Sequence, residues 1–157
     1  MPFINFYFIS MEAFAEWGYV GLFLASFLAA TVVPFSSELI FSAMVLGGKL
    51  DPWACVLVAT AGNWLGSLTS YYVGYLGKIE WIEKYLRVSH DKIIKYSIRI
   101  QKYGEWMAFF SFVPFIGDVI AVATGFFKCR FVPTAVIMLV GKFVRYAGWM
   151  YFNGLFM

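Results

Sequence analysis

The sequence has few of the residues from which enzymes and metalloproteins build their sites. It contains one histidine and two cysteines among 157 residues, and only 13% of the residues are charged. The single histidine, His90, has no neighbouring histidine or cysteine, so we expect no metal site and no cofactor. We also find no nucleophile–histidine–acid set, which predicts that the protein is not an enzyme. Cys55 and Cys129 fall on opposite membrane faces in the arrangement predicted below, so we expect free thiols.

Apolar and aromatic residues are abundant. The sequence is 62% hydrophobic and 22% aromatic, with a mean hydropathy of +0.76. Soluble domains are about 45–50% apolar, and a chain of this size has too little interior to hide such an excess from water. The composition therefore predicts an all-α integral membrane protein. The net charge of +3 is modest and gives no reason to expect a nucleic-acid partner.

Two short segments interrupt long apolar runs in the same way. Residues 34–38 read Pro-Phe-Ser-Ser-Glu, and residues 114–118 read Pro-Phe-Ile-Gly-Asp. Proline removes a backbone donor, and the apolar arms on either side are shorter than the roughly 20 residues of a spanning helix. We therefore predict two re-entrant hairpins, over residues 19–46 and 106–127, and favour them over a long, kinked and tilted first span. The predicted hairpin tips contain Pro34, Ser36, Ser37, Pro114 and Gly117.

Each predicted hairpin is followed by a segment long enough to cross the bilayer, over residues 53–76 and 131–156. Small residues recur every four positions in the first of these segments: Gly62, Gly66, Ser70 and Gly74. Because residues at this spacing share one helical face and allow close approach, we interpret the stripe as helix packing. The same face could receive a second copy of the chain, so a homo-oligomer is one interpretation.

The segment between the two halves is more polar. Four basic residues share one helical stripe: Lys92, Lys95, Arg99 and Lys102. The neighbouring stripe is apolar and aromatic, which predicts an amphipathic helix lying in the membrane interface, with its basic side towards anionic headgroups. Lysine and arginine are concentrated in residues 77–104 and 128–130, whereas the opposite face carries only Lys49. The positive-inside rule therefore predicts a cytoplasmic linker.

The two halves of the sequence correspond to each other. Three pairs match at a shift of 79 or 80 positions: Pro34 with Pro114, Glu38 with Asp118, and Gly62 with Gly141. A hairpin returns to its own side and a single span crosses, so the second half must enter from the opposite face. We predict an inverted repeat, the arrangement of many secondary transporters. The expected order within one membrane domain is an interfacial lead-in (1–16), repeat 1 (17–77), the amphipathic linker (78–103) and repeat 2 (104–157).

Five polar residues are predicted to lie at mid-membrane depth: Glu38, Asn63, Asp118, Lys142 and Arg145. Ionised side chains at this depth usually mark a pathway for substrate or protons. The alternative interpretation is a buried network of ion pairs that only fixes the fold. Buried pairs seldom add net stability, so we favour a binding site in which Arg145 and Lys142 receive an anionic headgroup. Glu38 and Asp118 are the candidate proton carriers.

Several stretches carry a family resemblance: residues 103–104, 112–118 and 125 in the second half, with 34–38, 62–69 and 141–146 elsewhere. Together they resemble the DedA (SNARE-associated, VTT-domain) family and its short YqaA-like branch. The resemblance covers nearly the whole chain. It implies a bacterial inner-membrane protein that moves an anionic lipid, either polyprenyl phosphate or phospholipid, with proton coupling as an option. The wider family carries arginines around the second-hairpin proline that are absent here, and we expect Arg145 and Lys142 to supply that charge.

Two other functions are compatible with this sequence. One is a transporter of small solutes or ions on the same scaffold. The other is a membrane structural or assembly protein without transport activity. The basic linker suits an anionic lipid partner, but it also suits a protein that only rests on the membrane surface.

Overall fold

A computed structural model describes residues 17–31, 37–47, 50–78, 80, 89–113 and 116–154. Within these ranges the chain is helical and contains no strand, as the composition predicted. The described helices are α1 (Trp17–Ala29), α2 (Ser37–Leu46), α3 (Pro52–Tyr75), α4 (His90–Met107), α5 (Ile116–Phe126) and α6 (Phe131–Gly154). A 3₁₀ helix (Ala108–Phe112) continues α4. The predicted tip residues Pro34, Ser36 and Pro114 lie outside the described residues.

Two of the described helices are long enough to span a bilayer, and three apolar helices are too short. Helices α3 and α6 have 24 residues each, which corresponds to about 36 Å and is enough to span a bilayer. By length and composition, α6 is the described helix that could cross a membrane. Helix α3 is equally long and carries a row of small and polar residues. Helices α1, α2 and α5 are apolar and have only 10 to 13 residues.

Helix α1 packs closely on the small-residue stripe of α3. A Cβ atom at Gly62 would collide with the carbonyl oxygen of Phe23, and one at Gly66 would lie 2.8 Å from the Cβ of Ala30. Ser70 donates a hydrogen bond to the carbonyl oxygen of Ala30 at 3.0 Å. The backbones therefore approach so closely that only glycine fits at the first two positions.

The C-terminal end of the same stripe, at Gly74, contacts α5. A Cβ atom at Gly74 would collide with the carbonyl oxygen of Val122, and one at Gly125 would collide with that of Tyr71. Helix α3 packs on α5 more extensively than on α6 or α2. Because α1 and α5 together cover the stripe, a second copy of the chain would have to bind to another face.

Helix α4 crosses the boundary that the sequence indicated between linker and second repeat. It runs without a break through Gly104 to Met107, although residue 104 was predicted to begin the second repeat. Gly104 is buried against the sulfur of Cys129, and a Cβ atom there would lie 2.6 Å from that sulfur. The glycine marks a close approach within the helix rather than its end. Ser89 precedes the helix without a side-chain capping bond.

A charged contact fixes the end of α4 to the start of α6. Arg130 donates two hydrogen bonds to the carboxylate of Glu105, at 2.6 and 2.9 Å. These two hydrogen bonds lower the pKa of Glu105 from its ordinary value of 4.5. Cys55 and Cys129 are both free and buried.

Helix α5 ends in a tight turn with a left-handed residue. Lys128 has a φ angle of 53°. Its amide donates to the carbonyl oxygen of Gly125 at 2.9 Å, and the amide of Cys129 donates to Thr124 at 3.0 Å. These two bonds form the Schellman pattern that satisfies the last carbonyls of a helix.

Candidate functional site

Arg145 of α6 lies between the two interruptions of the sequence. Its Nη2 forms an ion pair with Oε1 of Glu38, and both side chains are nearly buried, with 13% and 10% of their surface exposed. Its Nη1 donates to the carbonyl oxygen of Phe112 at 3.0 Å. Glu38 follows the first interruption, and Phe112 precedes the second. One guanidinium group therefore connects the chain at both places.

Tyr146, the residue after Arg145 on α6, contacts the beginning of α2. Its hydroxyl shares a hydrogen bond of 2.6 Å with the hydroxyl of Ser37, deep in the interior. Its ring packs against Phe41 with a centroid distance of 5.6 Å, and the guanidinium of Arg145 lies 5.2 Å from the ring centre. A buried tyrosine hydroxyl needs a partner, and Ser37 provides it.

Lys142 lies one turn earlier on α6 and contacts α3. Its ammonium group, with 1% of the residue exposed, donates to Oδ1 of Asn63. The amide nitrogen of Asn63 donates in turn to the carbonyl oxygen of Ser26 on α1, at 3.1 Å. The buried ammonium therefore has a neutral partner, although a buried charge is normally paired with an opposite one.

Asp118 lies in the first turn of α5 and has a different environment from Glu38. It is partly exposed. Among the described residues no lysine or arginine nitrogen lies within 4.0 Å of its carboxylate. Lys142 and Arg145 are nevertheless close enough to act on it electrostatically. The two cations and two carboxylates thus form one direct ion pair, and a second cation and acid remain apart.

The site also has hydrogen-bonding capacity that the described residues do not use. The Nε atom of Arg145 is buried and has no partner among them. Buried side-chain oxygens in the same condition belong to Ser26, Thr60, Ser67, Ser111 and Thr134. Buried polar groups are normally satisfied by protein, water or ligand, so these atoms could still form hydrogen bonds.

Comparison with known proteins identifies the family. Residues 33–153 match the VTT domain. An uncharacterised protein of Haemophilus influenzae is 32% identical over 139 residues, which are 84% of this chain and 85% of that protein. Inner membrane protein YqaA of Escherichia coli is 32% identical over 125 residues, 80% of this chain and 83% of YqaA. The chain belongs to the VTT-domain (DedA) family, in its YqaA-like branch. No solved structure matches it.

The family match covers all five polar residues that the sequence predicted. The structure brings Glu38 to Arg145 and Asn63 to Lys142, and it places Asp118 within electrostatic reach of both cations. Of the described tip residues, Ser37 contacts Tyr146 and Arg145. A Cβ atom at Gly117, the other described tip residue, would collide with the carbonyl oxygen of Ser111. No group of three or more metal-binding side chains occurs among the described residues.

Sequence reasoning missed a polar row on α6. Trp149 and Asn153 both donate to the hydroxyl of Ser42 on α2, at 2.8 and 3.0 Å. The row follows a helical spacing of four, three and four: Lys142, Tyr146, Trp149 and Asn153. This spacing places the row on one face and could have been found in the sequence. The residues 79 positions before these four lie on α3 at the same spacing: they are Asn63, Ser67, Ser70 and Gly74.

Proposed function

We propose that this DedA-family protein moves an anionic lipid across the bacterial inner membrane, with proton coupling through its acidic residues. The lipid carries a phosphate on a long hydrocarbon chain, as polyprenyl phosphates and phospholipids do. Arg145 and Lys142 would receive the phosphate, and Asn63 would orient the ammonium group. The Escherichia coli relative is described as an inner membrane protein, which supports the same location for this chain.

One observation carries the proposal: the guanidinium group of Arg145 has a buried Nε–H group that donates to none of the described residues. The ammonium group of Lys142 donates to the neutral side-chain amide of Asn63. A phosphate offers several oxygen acceptors and negative charge, and guanidinium groups bind phosphates through two parallel bonds. An anion would therefore satisfy groups that the described residues leave unpaired.

The same observation argues against a purely structural network. A network that only fixed the fold would gain from pairing each cation with a carboxylate, because an unpaired buried charge costs several kcal/mol. Here Asp118 and Lys142 form no direct pair among the described residues. Incomplete pairing is expected of a site that exchanges partners during transport.

Proton coupling would use the two acids in different ways. Glu38 is held by Arg145, so a phosphate that takes over Arg145 would displace this carboxylate. A displaced carboxylate in an apolar interior favours the protonated form. Asp118, partly exposed and without an ion pair among the described residues, could accept a proton from one face without breaking a contact.

Topology follows the distribution of basic residues. We propose two re-entrant hairpins in an inverted repeat, with the amphipathic linker on the cytoplasmic face. The ion pair between Glu105 and Arg130 supports this arrangement, because it joins the linker helix to the second basic segment. Anionic headgroups on that face would meet this basic surface before entering the site.

Reconstitution in liposomes tests the proposal. The protein would be inserted into vesicles containing fluorescent phosphatidylglycerol, and quenching by dithionite would report the lipid that reaches the outer leaflet. We expect translocation of this lipid to exceed that of fluorescent phosphatidylcholine, and to change with an imposed pH gradient. Equal rates with empty vesicles would refute lipid transport and favour a solute transporter or a structural protein.

A further inference from the structure

Lys142 is a basic side chain in surroundings that suit an uncharged group. Only 1% of the residue is exposed, and its side-chain nitrogen donates to the neutral amide oxygen of Asn63. Among the described residues no carboxylate oxygen lies within 4.0 Å of that nitrogen. Burial of an ammonium group without an ion pair is unfavourable, so this position favours the uncharged amine.

The charged groups around Lys142 do not replace the missing ion pair. Three of them act on it electrostatically: Arg145 on its own helix, Glu38 on α2 and Asp118 on α5. Arg145 repels a second positive charge, and the carboxylate of Glu38 is already paired with Arg145. Asp118 is partly exposed, so water weakens its attraction. Tyr146, one turn further along α6, adds only a hydroxyl group that is already hydrogen-bonded.

The hydrogen bond to Asn63 fits both protonation states of Lys142. A neutral amine and an ammonium group each have N–H groups that can donate to Oδ1 of Asn63. The amide nitrogen of Asn63 donates to the carbonyl oxygen of Ser26 at 3.1 Å, which keeps Oδ1 turned towards Lys142. The lone pair of the neutral amine remains free. The amine can therefore take up a proton without losing this contact.

We propose that Lys142 is neutral in the empty site and takes up one proton from the aqueous phase when the lipid phosphate binds. The inference rests on the proposed function and deepens it, because it assigns the coupled proton to a base. The proton adds to the lone pair of the amine, and no bond of the lipid is broken. Anion and proton enter the site together, as a phosphate beside an ammonium group.

Charge balance is the physical reason for this coupling. The ion pair between Arg145 and Glu38 has no net charge. A phosphodiester added to it would bring a negative charge into an apolar interior, which is unfavourable without compensation. A proton on Lys142 supplies the compensating charge and creates a charge-assisted donor for the phosphate. Proton uptake and lipid binding therefore strengthen each other.

Nuclear magnetic resonance of the Lys142 side chain tests the inference. The full protein, with isotope-labelled lysine, is held in maltoside micelles at neutral pH. The Cε signal of Lys142 is assigned by its absence in Lys142→Met or Lys142→Arg, and its chemical shift distinguishes an amine from an ammonium group. We expect an amine without lipid and an ammonium group at saturation with short-chain phosphatidylglycerol, whose phosphodiester does not titrate near neutral pH. Lys95, exposed on α4, is the reference signal and should keep its charge.

Calorimetry of the same lipid in two buffers of different ionisation enthalpy counts the protons that bind with it. We expect the count in Lys142→Met to be lower than in the wild type by close to one. Binding should weaken by about tenfold or more, since a hydrogen bond from a charged donor is lost. Asp118→Asn is the matched comparison, because it removes the partly exposed acid and should leave the Lys142 proton in the count.

The outcomes separate this inference from the proposed function. An ammonium group in the empty protein, or an amine that stays neutral with lipid bound, overturns the inference and leaves the proposed function standing. A proton count that falls in Asp118→Asn but not in Lys142→Met also overturns it and returns the coupling to the acids. Failure of phosphatidylglycerol to bind the wild type overturns the proposed function, and the inference with it, whatever the charge of Lys142.

Discussion

Helices α2 and α5 follow the two interruptions, and they are held in different ways. Helix α5 is pressed onto α3 through backbone contact, with Gly125 against Tyr71 and Gly74 against Val122. Helix α2 has far less contact with α3. It is tied to α6 by polar bonds from Ser37, Glu38 and Ser42, in addition to the packing of Phe41 on Tyr146.

The difference indicates which half can move. Close backbone packing has no second arrangement of similar energy, because each glycine contact is lost once the helices slide. Hydrogen bonds between membrane helices contribute only about 0.6 kcal/mol each on average, and an incoming phosphate can replace them. We therefore interpret α5 as the fixed side of the site and α2 as the side that exchanges its partners.

The largest effect is expected from breaking the ion pair on the α2 side. Glu38→Ala leaves the guanidinium of Arg145 buried without its carboxylate and should cost about 3–5 kcal/mol. Asp118→Ala removes an acid that has no ion pair among the described residues, so it should cost less than about 1 kcal/mol. Thermal melting of both variants in the same detergent measures the difference. Equal losses would show that the two acids are held alike.

The glycine contacts of α5 should give the next largest effect. Gly125→Ala forces a methyl group into the backbone of Tyr71 and should cost about 1–3 kcal/mol. Gly148→Ala on α6 is the control, since nothing lies within 4 Å of an added Cβ there. That control should be neutral or stabilising by up to about 1 kcal/mol. Melting curves that coincide for the two variants would contradict the close contact.

A smaller effect is expected from the second polar contact of α2. Ser42→Ala removes the acceptor shared by Trp149 and Asn153. We expect a loss of about 1 kcal/mol, since two interhelical hydrogen bonds are broken. Ser97→Ala on α4 is the control, because its hydroxyl only donates to Ile94 within its own helix. A loss as large as that of Glu38→Ala would mean that α2 is rigidly fixed.

The smallest effect concerns the ion pair between Glu105 and Arg130, in which only Arg130 is exposed. The folded-state pKa of Glu105 is lowered from 4.5, so the pair contributes stability above pH 4.5 and loses it as the pH falls through the folded value. Glu105→Gln should therefore melt slightly below the wild type at neutral pH. The two proteins should converge well below pH 4.5, and a difference that grows on acidification would have the wrong sign.

The pairing of the polar residues was only partly predictable from the sequence. Glu38, Asp118, Lys142 and Arg145 attract attention because charge is rare in apolar segments. The sequence could not show that Arg145 would form its ion pair with Glu38 and not with Asp118, because this pairing depends on the packing of α2 against α6. The helical class follows from composition, because apolar excess on this scale leaves few alternatives.

The sequence indicated that close helix contacts would occur, but it did not show which helices would form them or where the helices would end. The glycine stripe of α3 indicated close packing, yet nothing in its spacing showed that α1 would cover Gly62 and Gly66 while α5 covers Gly74. Gly104 suggested a boundary and proved to be a contact with Cys129 inside α4. A glycine in the sequence can mark either a helix end or a close contact inside a helix, so only the tertiary contacts show which of the two it is.

The central claim is that Arg145 binds lipid phosphate and does not merely hold Glu38. The decisive measurement compares Arg145→Ala with the double variant Arg145→Ala/Glu38→Gln, by thermal melting and by translocation of fluorescent phosphatidylglycerol in liposomes. Arg145→Ala strands a buried carboxylate and should melt well below the wild type, and the double variant should regain most of that loss. We predict that the double variant, although stable, translocates no lipid. Translocation at the wild-type rate in the double variant would contradict the account and return the pair to a structural role.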